Sequence, residues 1–182
     1  NQAIQKEAGN NVVSVTGLIG ELQNNNLNSI HANIDLFHIG YNVPNGPGFT
    51  FAVRERVESD VLYPKELLEF VWQGNGSKLG ETIDIGKMGI STTHFREWAL
   101  GMSYQVDKQL LVGARLKYFQ GFSNISTPSN LKATLEVNPQ TYAWDVNTEN
   151  FVFRTAGLNS YNGSYLVSPG NSGMGMDIGF EY

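Results

Sequence analysis

Residues 98–118 read WALGMSYQVDKQLLVGARLKY. Trp98, Leu100, Met102, Tyr104 and Val106 alternate with Ala99, Gly101, Ser103 and Gln105. Beyond Asp107-Lys108 the alternation resumes with Leu110, Val112, Ala114, Leu116 and Tyr118, now interleaved with Gly113, Arg115 and Lys117. A period of two is the mark of a β-strand with unlike faces, and the polar break between the runs predicts a hairpin. The pattern leaves the solvent open. In a water-soluble barrel or sandwich the apolar side faces a core, whereas in a membrane barrel it faces lipid and the polar side lines the interior.

Composition narrows the choice. The chain has 182 residues, with 12 Lys+Arg against 17 Asp+Glu and a formal net charge of −5. That balance argues against a nucleic-acid surface. The absence of cysteine excludes disulfides, zinc-thiolate sites and a thiol nucleophile. No run approaches the ~18 apolar residues of a membrane-spanning helix. A mean hydropathy of −0.25 is too low for a helical membrane protein but is compatible with a membrane β-barrel, where only half of each strand meets lipid. Twenty glycines and 12% aromatic residues suit an all-β chain rich in turns. The opening NQAIQKEAGN carries neither an apolar leader core nor an initiator methionine, so any secretion signal is expected to have been removed or to lie outside this chain.

Similar strands recur on both sides. VVSVTGLIGEL (12–22) reads as a short strand or one helical turn, and QNNNLN (23–28) as a loop. In 29–41, Ile30, Ala32, Ile34 and Leu36 oppose His31, Asn33 and Asp35; the phase then changes at Phe37, Ile39 and Tyr41, as at a bulge or the end of the buried band. PNGPG (44–48) is a turn, and FTFAVRERVE (49–58) alternates again. YPKELLEFVWQGNG (63–76) breaks the pattern: Pro64 starts and Gly74 stops a short helix with Leu67, Leu68, Val71 and Trp72 on one face. Residues 79–91 read as irregular. Strands are predicted at 130–137, 141–146, 150–157 and 162–168, and the chain closes with GMGMDIGFEY (173–182). The predicted fold is all-β, an antiparallel up-and-down transmembrane β-barrel or part of one with one short amphipathic helix, over a single domain 1–182.

The closing strand discriminates best between the two solvents. Met174, Met176, Ile178, Phe180 and Tyr182 lie on one side, and Gly175, Asp177, Gly179 and Glu181 on the other. Soluble sheet surfaces avoid repeated glycine, which weakens a strand, whereas a crowded lumen uses it to make room for long side chains. The lumen-facing charge network predicted across strands is Asp35, Arg54, Arg56, Glu97, Arg115, Lys117, Asp177 and Glu181, with Glu97 as the partner of Arg115. The predicted lipid face comprises Trp98, Leu100, Met102, Tyr104, Leu110, Val112, Leu116, Tyr118, Met174, Met176, Ile178 and Phe180. Trp98, Tyr104, Tyr118 and Tyr182 are placed as interfacial aromatics. The competing reading is a set of solvated charges whose pairs contribute about 0–1 kcal/mol each.

Part of the chain, roughly residues 28–157, resembles an uncharacterised outer-membrane β-barrel family of Bacteroidota. The similarity is carried by Glu55-Arg56-Val57, Tyr63-Pro64-Lys65, Trp72, Gly74-Asn75, the run Thr93-His94-Phe95-Arg96-Glu97-Trp98-Ala99-Leu100-Gly101, and Val112-Gly113-Ala114-Arg115-Leu116-Lys117-Tyr118. Members of that family are longer, so the resemblance implies that the domain is incomplete at one or both ends. It also implies a bacterial outer-membrane location, lipid and other envelope proteins as partners, and, by analogy with related barrels, a place in secretion or gliding machinery.

Motifs for chemistry are weak. His31 and Asp35 are four residues apart on a strand, ~13 Å, too far to share a metal. GNGSKLG (74–80) lacks phosphate-loop spacing and a following helix. SNLK (129–132) has Ser-x-x-Lys spacing at a loop-to-strand junction rather than on a helix. Asn75, Asn124 and Asn162 open Asn-x-Ser sequons, which carry no meaning in a bacterial outer membrane. No GxSxG, HExxH or paired-carboxylate element is present. The reading is therefore non-enzymatic and without cofactor or metal: a scaffold or partner subunit of an envelope or secretion assembly. The alternative is a soluble or membrane barrel that binds or transports a hydrophobic small molecule, with Phe49, Phe51, Trp98 and Met102 lining the cavity.

Overall fold

The structure is a computed structural model that describes residues 4–7, 10–74, 76–128, 131–160, 162–167 and 170–182. Strands β1 (Ile4–Glu7) and β2 (Asn10–Val13) pair antiparallel. Helix α1 (Val15–Glu21) follows, because the Ser14 hydroxyl accepts the Gly17 N–H at 3.1 Å and caps it. Long strands β3 (Asn25–Asn42) and β4 (Gly48–Pro64) are joined by the expected Pro-Gly turn, where Asn45 takes a φ of 56° and Val43 N–H reaches the Pro47 carbonyl at 3.0 Å. Asn25 already belongs to β3, so half of the predicted 23–28 loop is strand.

Helix α2 (Lys65–Gln73), strand β5 (Thr82–Asp84), and strands β6 (Gly89–Gln105) and β7 (Leu111–Ser126) come next. The β6–β7 turn is shaped by Asp107, whose Oδ1 accepts the N–H groups of Gln109 and Leu110 at 2.8 and 2.9 Å. Strands β8 (Lys132–Val137), β9 (Trp144–Glu149) and β10 (Arg154–Ala156), helix α3 (Gly163–Val167) and strand β11 (Asn171–Glu181) complete the order. The predicted strand at 162–168 is thus helical where it is described. Asn162 Oδ1 accepts the Tyr165 N–H at 2.9 Å and Leu166 N–H bonds the Asn162 carbonyl at 3.1 Å, so a side-chain cap overrides the β-propensity of Tyr-Leu-Val. Only Arg154–Ala156 of the predicted 150–157 strand is paired.

The chain divides into two compact units, one of Asn1–Ser29, Asp60–Ile90 and Ser126–Arg154, the other of Ile30–Ser59, Ser91–Ile125 and Thr155–Tyr182. In the first, β5, β8 and β9 form a three-stranded antiparallel sheet. Phe70 of α2 packs onto Ile83, Leu135 and Val137 of that sheet. Its ring meets Trp144 edge-on at 4.7 Å. Periodicity placed Leu67, Leu68, Val71 and Trp72 on the packed face; instead Phe70 is buried and Val71 and Trp72 are both 64% exposed. The helix faces Ile83, Leu135, Val137 and Trp144, residues that helical spacing within the segment could not anticipate.

The second unit is built on the large sheet, ordered β10-β7-β6-β4-β3 with β11 also on β7. Contacts fix its directions. Asn33 meets Arg56 and Asp35 meets Arg54, so numbers rise on β3 as they fall on β4. Ser59–Thr92 and Arg56–Glu97 relate β4 and β6 in the same sense, and Asn124–Thr93 with Trp98–Gln120 do so for β6 and β7. β11 is antiparallel to β7, from Asn171↔Gly121 to Glu181↔Leu111. Among the described residues nothing pairs with the outer edges of β3 or β11 and no closed barrel is detected; of the expected barrel or part of one, the structure shows a mostly antiparallel β fold with a few short helices. Both edge strands are exposed along almost their whole length.

Candidate functional site

The second unit's sheet has two chemically different faces. On the charged face, Glu97 of β6 is 1% exposed and receives Arg56 Nη1 at 3.0 Å and Arg54 Nη1 at 3.5 Å. Arg54 Nε also donates to Asp35 Oδ1 at 2.5 Å, and Arg56 Nε to Asn33 Oδ1 at 2.7 Å. Arg56 lies over the Phe95 ring at 5.6 Å. Lys117 pairs with Asp177 at 2.5 Å, diagonally across the β7–β11 ladder. Asn33, Asp35, Arg54, Arg56, Glu97 and Lys117 line one cavity of about 460 Å³. Six of the eight predicted network residues are therefore ion-paired, with cations and acids matched strand to strand.

The predicted Glu97–Arg115 pair is not formed. The tight β6–β7 turn sets a register in which a side chain on Gly101 would approach Arg115 Nε to 3.7 Å. Glu97 lies four residues further along, ~13 Å at strand rise. Among the described residues Arg115 and Glu181 make no ion pair; both line a second cavity of about 350 Å³ with Thr50, Gly101, Ser103 and Asp177. The glycines on this face make room for specific neighbours. A Cβ on Gly175 would press on the Phe119 ring, and one on Gly101 would overlap the Thr50 hydroxyl.

The opposite face inverts soluble practice. Leu100, Met102, Tyr104, Val112, Leu116, Tyr118, Met174, Met176, Ile178 and Phe180 are all exposed, reaching 60% at Leu116 and 88% at Met174, while the neighbouring Arg115 and Lys117 are more covered. Leu110 lies in the turn before β7 and is half-buried. Strand β3 joins this face through a phase switch. Asp35 meets Arg54 on the charged face, yet Phe37, two residues on, meets the ring of Phe51 at 6.0 Å on the apolar one, and a Cβ on Gly40 would meet Thr50 on the charged side. One shift between Asp35 and Phe37 puts Ile30, Ile34, Phe37, Ile39 and Tyr41 on one side, which is the effect of a bulge.

Along the apolar face the chemistry changes at Trp98. Trp98 Nε1 donates to Gln120 Oε1 at 2.7 Å, and Gln120 Nε2 to the Val167 carbonyl at 3.3 Å. Immediately beyond, Glu55 Oε1 accepts Arg96 Nε at 2.7 Å and a second bond from Arg96 Nη2, while Glu55 Oε2 meets His94 Nε2 at 3.0 Å. Arg96 Nη1 donates to the Leu166 carbonyl at 3.2 Å and the guanidinium lies over Phe122 at 5.1 Å. Tyr165 OH donates to the Phe122 carbonyl at 2.8 Å. Two rows of paired polar groups thus lie back to back, Glu55/His94/Arg96 on one face and Arg54/Arg56/Glu97 on the other. Apart from Arg54, they are formed by residues of the two runs that carried the sequence resemblance.

The chain belongs to a family of unknown function, DUF5723, which matches it over residues 1–182. No curated protein and no solved structure matches it.

Sequence reading missed the Glu55/His94/Arg96 row. The signal was present in the strict alternation of RERVE and THFRE, where successive ionisable residues must point to opposite faces. For a metal, the described residues hold no cluster of three or more His, Asp or Glu side chains. Asn75 and residues 129–130, on which one sequon, the 74–80 loop and the Ser-x-x-Lys spacing depend, lie outside the described residues. Of the residues proposed for a hydrophobic cavity, Phe51 and Trp98 are in ring contact at 6.2 Å, whereas Phe49 and Met102 are exposed.

Proposed function

We propose that this chain forms part of a non-enzymatic β-barrel of a bacterial outer membrane, of the Bacteroidota type its sequence resembles. In this reading it acts as a scaffold or partner subunit of an envelope or secretion assembly. The observation that carries the proposal is the inverted burial of the large sheet. A sheet in water must cover its apolar face with a second layer, yet here the apolar face is the open one and the charged face holds the buried carboxylate of Glu97. Lipid supplies the missing cover.

Dimensions agree with this. The apolar run Trp98–Val106 and the run Met174–Tyr182 each hold nine residues. Eight rises of ~3.4 Å give ~27 Å, which a strand tilted ~40° projects to ~21 Å, near the ~25 Å apolar band of outer-membrane barrels. Trp98 marks one end of the band, where indole belongs at a membrane interface. The Glu55–Arg96 ion pair, with His94 bonded to the same carboxylate, follows directly on the same face. A net charge of −5 argues against nucleic acid as a partner.

The test is fractionation. Expressed with an export signal in a Gram-negative host, the chain should sediment with outer membrane, resist carbonate and salt, and require detergent for extraction. A monodisperse, β-rich species in plain buffer would overturn the proposal.

A further inference from the structure

The bare face of the large sheet stops at a definite level, and α3 lies just beyond it. On β7 that face carries Val112, Ala114, Leu116 and Tyr118, all exposed, and then Gln120 and Phe122, which are 9% and 1% exposed. Phe122 is enclosed by the Arg96 guanidinium at 5.1 Å, the His94 ring at 5.1 Å and the Tyr165 ring of α3 at 6.3 Å. The last carbonyls of α3, which no helical N–H can reach, are taken up by the sheet. Arg96 Nη1 donates to the Leu166 carbonyl and Gln120 Nε2 to that of Val167, while Gln120 Oε1 accepts Trp98 Nε1. The side chains at this end of the helix stay uncovered: Leu166 is exposed and Val167 is 75% exposed. Gln120 is two residues beyond Tyr118, ~7 Å along the strand. At a tilt of ~40° this is ~5 Å along the membrane normal, within the polar layer of ~5–8 Å that separates the hydrocarbon edge from water. The sequence suits such a layer. No Asp, Glu, Lys or Arg occurs from Thr155 to Met176, 22 residues, in a chain that is 16% charged, so the segment is polar and apolar by turns but uncharged.

We propose that α3 is a membrane-interface foot. It lies in the lipid headgroup layer on the outer wall of the sheet, with Leu166 and Val167 against the first acyl carbons and with Arg96 and Gln120 holding it at that depth. This rests on the reading of the bare face as lipid-facing. Lipid is favoured over a protein partner for two reasons. The helix adjoins the bare face directly, through the Trp98–Gln120–Val167 chain of bonds, and it brings no charge of its own with which to select a partner. Interfacial segments bury their apolar side chains ~5–10 Å into the boundary between headgroups and acyl chains, and Trp and Tyr are enriched at that level.

The chain has no cysteine, so single thiols can be introduced as probes. Leu116→Cys, Leu166→Cys and Val167→Cys are each labelled with a small fluorophore, and the full chain is reconstituted into phosphatidylcholine vesicles. Leu166 and Val167 are both exposed, so either label reports if the other disturbs assembly. Quenching is read with lipid brominated near the headgroup, with lipid brominated deep in the acyl chain, and with iodide in the water. The deep lipid should quench the Leu116 label about twofold or more above the shallow one, and the order should reverse at Leu166 and Val167. Iodide should quench the two α3 labels less than the free dye adduct and more than the Leu116 label. Three results at the α3 labels overturn the proposal: quenching by iodide as in the free adduct and by neither lipid, shielding from all three quenchers as under a protein cover, or strongest quenching by the deep lipid. With the Leu116 label deep, each of these would leave the barrel reading standing and remove this one. A Leu116 label that neither lipid quenches would remove the barrel reading and this inference with it.

Discussion

Arg56 and Glu97 face each other across β4 and β6 with Nη1 and Oε2 3.0 Å apart, and the same carboxylate is shared with Arg54. Glu97 is almost wholly buried, so it is the point where the charged face has most to lose. Glu97→Ala leaves two guanidinium groups side by side without their common acid. The expected loss of stability is about 3–5 kcal/mol, the range for removing one partner of a buried pair. Arg115→Ala, which breaks no ion pair among the described residues, should cost under ~1 kcal/mol. In double-mutant cycles on thermal or denaturant unfolding, Glu97 and Arg56 should couple, while Glu97 and Arg115 should add within ~0.5 kcal/mol. Coupling to Arg115 in place of Arg56 would mean that the β6–β7 register is wrong.

The two faces should differ in tolerance. Leu116 is exposed in the middle of the apolar face, and Leu116→Arg or Leu100→Arg should impair membrane assembly by roughly 2–4 kcal/mol per site if that face meets lipid. Ser103→Thr, on the charged face, should assemble normally. The readout is the fraction of chain that shows heat-modifiable mobility in electrophoresis. Equal tolerance of arginine on both faces would place the apolar side in water.

Two glycines allow a matched comparison. Gly157 has a φ of 78°, and a Cβ there would overlap the Phe122 carbonyl oxygen. Gly157→Ala should therefore destabilise by more than ~1 kcal/mol, since both backbone conformation and space are incompatible with a side chain. Gly179 has open space at the corresponding position, and Gly179→Ala should be neutral or mildly stabilising in the same unfolding assay.

Arg96 ties α3 to the sheet through Glu55 on one side and the Leu166 carbonyl on the other. Lysine keeps the charge but cannot reproduce the fork of bonds. Arg96→Lys should weaken this attachment by about 1–3 kcal/mol and open residues 158–167 to limited proteolysis, with β6 and β7 still protected. Cleavage spread evenly along the chain would show that Arg96 supports the whole sheet rather than α3.

Much of the architecture was legible before the structure. The alternation in WALGMSYQ and LLVGARLKY marks strands and their two faces, and Asp107 and the Pro-Gly run at 44–48 mark the turns between them. The phase change after Leu36 was also readable, and Phe37 against Phe51 is its structural form. The α3 segment was not, because Tyr-Leu-Val favours a strand until Asn162 caps it as a helix. The orientation of α2 was not, because it depends on Ile83, Leu135, Val137 and Trp144 beyond the helix.

What the sequence determined by itself is periodic and local: which residues share a strand face, where the chain turns, and that one face is apolar while the other carries charges of both signs. Period two follows from the pleat of a single strand and needs no neighbour. What only the tertiary structure decided is pairing. Glu97 belongs to Arg56 and Arg54 rather than Arg115, Glu55 gathers His94 and Arg96, and β3 and β11 remain open edges running the same way. Those relations depend on cross-strand register, which turn geometry and the packing of residues far apart in sequence set together, and a one-residue slip would exchange every partner.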